Sequence, residues 1–161
     1  VASAYFFPGL RLRRALILAA RRGVRVCLLL QGKYEYFLPY RASRQLYGQL
    51  LAAGVEIYEY HASVLHAKVA VVDPYNDRPW ATVGSSNLDP LSLLLAREAN
   101  VVVADKAFAQ QLYQRLHLAI EQQSDPVVAA VYVQRPWHQR LRDRVAFGLM
   151  RLALFLSGNR Y

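Results

Sequence analysis

Apolar strands alternate with amphipathic helices along this chain, and that alternation leaves few ways to bury both. VRVCLLL is apolar enough that both faces of its sheet must be covered. Before it, LRLRRALILAARR sets Leu12, Ala15, Leu16 and Ala19 on one helical stripe, with Pro8 in the first turn and Gly23 where the helix stops. The grammar repeats: RASRQLYGQLLAA reads as a helix ending at Gly54, and VEIYEY alternates as a strand. HAKVAVVD is a strand, PYNDRPW a turn-rich loop, ATVGSS a short strand, LDPLSLLLA a helical turn or more, and EANVVVAD another strand. A helix from Lys106 to about Gln123 follows. This order predicts a three-layer α/β sandwich with a mixed, mostly parallel sheet.

The 55% hydrophobic content of the 161 residues is enough for a real core, so disorder is not expected. The net charge of +9, carried mostly by Arg, points to an anionic partner, and nucleic acid and acidic phospholipid both fit it. Cys27 lies in an apolar run and reads as a strand residue. The opening VASAYFF already looks like a strand, so the chain reads as a piece of a longer protein, with no signal peptide in view. Arg151 interrupts the longest apolar candidate, VAFGLMRLALFL, so no membrane span is expected.

Chemistry concentrates between residues 66 and 98. Along an alternating strand His66 and Lys68 share a face, setting an imidazole beside an ammonium. Breaking a phosphodiester without a metal requires a nucleophile, an acid for the leaving alcohol and fixed positive charge at the non-bridging oxygens. His66 and Lys68 supply two of these, while the Asn87 amide and the Ser85 hydroxyl of the GSSN turn can cradle phosphate. Glu98 is the expected partner of the imidazole, fixing its tautomer and supporting its charged form. No metal site and no cofactor are expected. His61, His117 and His138 fit no ligand spacing and are read as surface residues. Tyr5, Phe6, Phe7, Tyr34, Tyr36, Phe37 and Tyr40 either line an acyl or glycerol channel or belong to the core. Arg41 and Arg44 either meet head-group phosphates or lie in solvent.

His66, Lys68, Asp73, Gly84, Ser85, Asn87 and Glu98 together resemble the HKD signature of the phospholipase D superfamily. AYFFPG, VRVCLLLQG, YRASRQLYGQLLAAGVEIYEY, LHAKVAVVD and ATVGSSNLDPLSLLLAREANVVV extend the resemblance to the C-terminal half of bacterial phospholipase D-type cardiolipin synthases, over residues 1–124. The gap from Asp73 to Gly84 is longer than is usual there, which predicts an extended hairpin.

The resemblance implies a phospholipase D-like fold and a phosphatidyltransferase that moves a phosphatidyl group to phosphatidylglycerol through a phosphohistidine. Two HKD half-sites would share the work, with His66 as acid and base, Lys68 as phosphate ligand, and the nucleophile on a second half-domain from the same longer chain or a dimer mate. Asp73 belongs to the motif but alternates to the face opposite His66, which suits an ion pair or turn cap. Expected partners are anionic phospholipids such as phosphatidylglycerol and cardiolipin, at the bacterial inner membrane surface; nucleic acid is not the expected partner. The competing readings are a homodimeric phospholipase D-type endonuclease and a non-catalytic lipid-binding fragment. Residues 125–161, with Arg135, Arg140, Arg142, Arg144 and Arg151 among aromatic and aliphatic neighbours, read as a tail that either lies in the membrane interface or packs on the domain.

Overall fold

The computed structural model describes residues 1–33, 36–89, 92–93 and 96–156. Its strands are β1 (Ala2–Ser3), β2 (Cys27–Gln31), β3 (Glu56–Tyr60), β4 (Lys68–Val72), β5 (Trp80–Gly84), β6 (Asn100–Val103) and β7 (Ser124–Pro126). Its helices are α1 (Leu10–Arg21), α2 (Phe37–Leu51), α3 (Lys106–Gln123), α4 (Ala129–Val133) and α5 (Trp137–Leu156). The strands form one mixed sheet in the order β6-β5-β4-β1-β2-β3-β7.

β1, β2 and β3 are parallel, joined through α1 and α2. Both crossovers advance in the same direction, so right-handed connections set α1 and α2 on one face. Leu28, Leu30 and Ile57 meet Ala42, Leu46 and Leu50 of α2 in the main core. Leu29 alternates to the other side of the sheet, where α3 lies along β3, β4, β5 and β7. Gly23 and Gly54, at φ +89° and +88°, end α1 and α2 in the left-handed conformation that favours glycine.

Three expectations need correcting. The sheet is mixed but not mostly parallel, because β1–β4, β4–β5, β5–β6 and β3–β7 all pair antiparallel. An apolar run carries no information about direction, whereas the short connection from β4 to β5 permits only an antiparallel pair. Second, α2 starts at Phe37 rather than near Arg41. Pro39 is tolerated there because first-turn N–H groups have no intrahelical acceptor. Third, Arg41 and Arg44 are neither solvent-exposed nor free for phosphate, since each holds a carboxylate. The helical turn expected in LDPLSLLLA includes residues 90–91 and 94–95, outside the described residues.

The C-terminal segment is tied to the domain. β7 adds a seventh strand beside β3, and α5 packs along α2 through Ala146, Phe147, Met150 and Leu154. Between the two helices the Asp143 side chain is 0% exposed, held by Arg135 Nη1 at 2.8 Å and Arg41 Nη1 at 3.4 Å. Arg135 lies over the Tyr132 ring, whose hydroxyl donates to the Arg44 carbonyl. Burial pushes that phenol up to about 12, so it stays a donor at ordinary pH. Removing one member of a buried ion pair strands the others, at about 3–5 kcal/mol. Asp143→Asn is therefore expected to lower unfolding stability by about that amount in urea melts; a loss below about 1 kcal/mol would show that the pair is not holding α5.

Candidate functional site

β4, β5 and β6 form an antiparallel ladder in which Val69 faces Val83, Val83 faces Val101 and Gly84 faces Asn100. Extending the β4–β5 register by one residue sets Lys68 opposite Gly84. Lys68, Gly84 and Asn100 thus form one cross-strand row on one face, with no side chain at its centre. A Cβ on Gly84 would lie 1.9 Å from Asn100 Oδ1 and 2.5 Å from the Ala99 carbonyl oxygen, so crowding makes this position glycine. Asn100 Nδ2 donates to Ser86 Oγ at 2.6 Å, and the Ser86 N–H donates to Asn100 Oδ1 at 3.4 Å. Asn100 therefore holds the turn after β5, a role that its strand position, rather than the HKD spacing, assigns.

The Ser85 hydroxyl, expected to meet phosphate, is occupied instead. It accepts from the Ala99 N–H at 3.0 Å and donates to the Ala99 carbonyl at 3.4 Å. Alternation explains this, because Gly84 and Ser86 share the face of Lys68 and Ser85 does not. At Asn87 the unpartnered buried atom is Oδ1, an acceptor, rather than the Nδ2 donor that phosphate requires. Leu88, next in line, is fixed three times, by its N–H to Ser3 Oγ at 3.4 Å, its carbonyl to the Phe7 N–H at 2.8 Å, and a bridge to Phe6.

His66 lies in the extended lead-in to β4, exposed, between two anchored neighbours. The Leu65 N–H donates to Gln31 Oε1 at 2.8 Å, and the Ala67 carbonyl accepts from the Ala4 N–H at 3.0 Å. Lys68 Nζ stands 3.0 Å from His66 Nε2 and 3.5 Å from the His66 carbonyl oxygen. An ammonium has only protons to offer, so Nε2 is the acceptor and the imidazole proton belongs on Nδ1. Sequence pairing of His66 with Lys68 is thus realised as a direct contact.

Glu98 and Asp73 do not join them. The only ion pairs of histidine with carboxylates among the described residues are His61–Asp125 and His117–Glu121. Glu98 leads into β6 while His66 leads into β4, and the intervening β5 separates them by two strand spacings, about 10 Å. The expected imidazole–Glu98 contact is therefore absent. Asp73 enters the hairpin turn at φ +49°, exposed, with its carbonyl accepting from the Asn76 N–H. Five residues of extended chain hold it about 17 Å along the strand from Lys68, at the turn and away from the imidazole and ammonium.

Two hollows lie in this part of the fold, one lined by Lys68 and the other by Leu65. One, of about 180 Å³, is lined by Lys68, Thr82, Ser86, Leu88, Leu93 and Asn100 among others. The other is walled by Tyr5, Phe6, Tyr36 and Tyr40, so part of the aromatic cluster lines a cavity, while Phe7 packs on Phe147 in the core. Tyr34 lies outside the described residues. Among the described residues no cluster of His, Cys, Asp or Glu could hold a metal ion.

Residues 1–118 match the family model described as "Cardiolipin synthase, PLD-like domain". The chain belongs to this family. It is 43% identical to cardiolipin synthase B of Escherichia coli K12 over 151 residues, 94% of this chain and 36% of that protein. Against cardiolipin synthase A of Cronobacter sakazakii it is 36% identical over 143 residues, 89% of this chain and 28% of that protein. The chain thus spans about a third of the length of these relatives. Its fold is similar to that of the phospholipase D family member Nuc from Salmonella typhimurium, with a TM-score of 0.63 at 20% identity over 77% of this chain and 78% of that one.

Within this cardiolipin synthase-type domain the Lys68–Gly84–Asn100 row carries a direct test. Gly84→Ala forces the Asn100 side chain and the Ala99 backbone aside, and overpacking of this kind typically costs about 1–3 kcal/mol. Melts of Gly84→Ala should show that loss, and adding Asn100→Ala should recover part of it; strict additivity would rule out the crowded row.

Proposed function

We propose that this chain supplies one HKD half-site of a phosphatidyltransferase that passes a phosphatidyl group to phosphatidylglycerol. The observation that carries the reading is the 3.0 Å contact of His66 Nε2 with Lys68 Nζ beside the GSSN turn, in a domain of the cardiolipin synthase family. A histidine on a second half-domain attacks phosphorus and forms the phosphohistidine, while His66, having taken up a solvent proton on Nε2 once Lys68 turns to the bound phosphate, gives that proton to the departing alcohol. The acceptor hydroxyl then gives its proton to His66 Nε2 while its oxygen bonds to phosphorus and the P–N bond breaks, returning the electron pair to the imidazole.

Lys68 serves twice in this scheme. Before substrate arrives its ammonium occupies the lone pair of His66 Nε2; a bound phosphate attracts the ammonium and releases that lone pair for proton transfer. The half-buried Asn87, with its amide turned to present Nδ2, adds a neutral donor to the non-bridging oxygens. Ser85 and Asn100 hold the turn in place, and Asp73 closes the hairpin. His66→Ala should lower phosphatidyl transfer by the intact protein about 10²–10⁴-fold without unfolding it, measured with labelled phosphatidylglycerol. Unchanged turnover would remove His66 from the site, and DNA hydrolysis without cardiolipin formation would favour the endonuclease.

The second part of the proposal concerns where the reaction occurs. Opposite its packed face, α5 exposes Trp137, Leu141, Val145, Leu149, Leu152 and Phe155. At 100° per residue these fall on one stripe, with Arg140, Arg144 and Arg151 along its flank. Among the described residues no helix is long and apolar enough to cross a membrane. An apolar stripe edged by cations suits peripheral attachment to an anionic bilayer such as the bacterial inner membrane. At about 1 kcal/mol for each basic residue, replacing all three arginines with Gln should weaken sedimentation with phosphatidylglycerol vesicles roughly 10²-fold. Equal binding to neutral phosphatidylcholine vesicles would refute the electrostatic part.

A further inference from the structure

Charge is distributed unevenly along the chain. Between Val1 and Tyr34 the sequence has six Arg, one Lys and no Asp or Glu, which accounts for most of the net charge of +9. Arg11, Arg13, Arg14, Arg21 and Arg22 lie on α1 or directly after it. Of the six arginines, only Arg25, beyond the helix, has a carboxylate partner among the described residues, Glu56 at 2.8 Å. Arg11, Arg13 and Arg14 crowd the start of α1, where the helix dipole disfavours cations, and no acidic side chain or side-chain cap offsets them there. The helix therefore carries a like-charge penalty that an external anion would relieve.

The helix sorts these charges by face. At 100° per residue Arg11, Arg14, Leu18, Arg21 and Arg22 fall within about 100° of arc, and all five are exposed. Leu16, Ala19 and Ala20, on the other side, pack against the core, and no residue of α1 is fully buried. From Arg11 to Arg22 the cationic face runs about 16 Å along the helix, with Leu18 exposed at its centre and Leu10 exposed at one end. Guanidinium groups grip phosphate oxygens in pairs. Exposed leucine among them suits a phosphate layer lying over hydrocarbon, whereas a nucleic-acid backbone would use the cations and leave the leucines idle. α1 also shares with α2, and so with the α5 that packs on α2, one side of the sheet.

We infer that the outer face of α1 is a docking surface for an anionic phospholipid bilayer, separate from the apolar stripe of α5. Arg11, Arg14, Arg21 and Arg22 hold head-group phosphates, and Leu18 enters the head-group boundary between them. The contact is chiefly electrostatic, where that of α5 is chiefly apolar. It concerns binding alone, so it stands apart from the transferase reading and from the role given to α5.

The test uses the intact protein that contains this chain. Arg11→Gln, Arg14→Gln, Arg21→Gln and Arg22→Gln are combined in one variant, and the four Arg→Lys replacements in another. In sedimentation with phosphatidylglycerol vesicles at low salt, the Gln variant should bind roughly 10³-fold more weakly than wild type and with a flatter salt dependence, while the Lys variant stays within about tenfold. Transfer from short-chain phosphatidylglycerol kept below its micelle concentration should change less than about twofold, because that lipid requires no surface. If the fourfold Gln variant does not fold, the pairs Arg11→Gln with Arg14→Gln and Arg21→Gln with Arg22→Gln should each weaken vesicle binding roughly thirtyfold. Unchanged vesicle binding overturns the docking surface, whatever the arginine variant of α5 does, and unchanged vesicle binding with lost affinity for duplex DNA gives the face to nucleic acid instead. A fall on the monomeric lipid equal to the loss on vesicles makes α1 structural and also overturns it. Wild-type protein that binds vesicles but transfers to neither form of the lipid counts against the transferase reading alone.

Discussion

The site depends on the two residues of β1, the shortest strand and the joint of the sheet. Ala2 and Ser3 pair in parallel with β2 on one side and antiparallel with β4 on the other, so they connect the crossover half of the fold to its hairpin half. Both are buried, and only small side chains fit between neighbours so closely placed. The Ser3 hydroxyl reaches out of the joint to the Leu88 N–H, and Phe6 and Phe7 meet Leu88 as the chain leaves the sheet. Ala4 takes hold of Ala67 on the opposite flank. One short segment therefore fixes both the end of the GSSN turn and the residue after His66. Those two pieces are some twenty residues apart in sequence, and β1 is far from either.

Positioning is what the fold contributes at this site. His66 is exposed and has Lys68 for its neighbour, so nothing there resembles a buried catalytic dyad. The preparation lies behind it, in Gln31, Ala4 and Ser3, which spare the reacting groups the conformational search that a free loop would make. The same division runs across the ladder. Lys68 faces the gap left by Gly84, while Asn100 and Ser85 hold the turn that carries Asn87. Among the described residues Glu98 forms no ion pair with the imidazole, although the spacing suggests one.

Local periodicity carried most of the fold. The helix Lys106–Gln123 and the two glycine-stopped helices could be read because their signals, stripe and C-terminal turn, are contained within one segment. Strand direction could not, since VRVCLLL has the same composition whichever way its neighbours run. The site divides on the same line. His66 and Lys68 share a face by alternation within one strand, whereas Ser85, Asn100 and Ser3 take their roles from partners on other strands. Register alone sends Ser85 to Ala99 and sets Asn100 beside Ser86, and no spacing along the chain contains that register. Gln31 was hidden for a related reason. A glutamine ending an apolar strand reads as the strand's polar exit until Leu65 folds over one end of its amide and leaves the other end bare.

The C-terminal helix packs on the domain through one face and exposes apolar side chains on the other. Asp143 and its arginines lock one face to α2, and that commitment leaves Leu141, Val145, Leu149 and Leu152 directed outward. A helix free to roll could bury either stripe; a helix held by a buried carboxylate cannot, so the outward stripe has a fixed orientation relative to the sheet. The lock also touches the site side of α2. Arg41, which grips Asp143, is one residue from Tyr40, and Tyr40 walls the cavity beside Gln31. A membrane holding the outer stripe would therefore act on a rigid path through α5 and Asp143 to the first turns of α2.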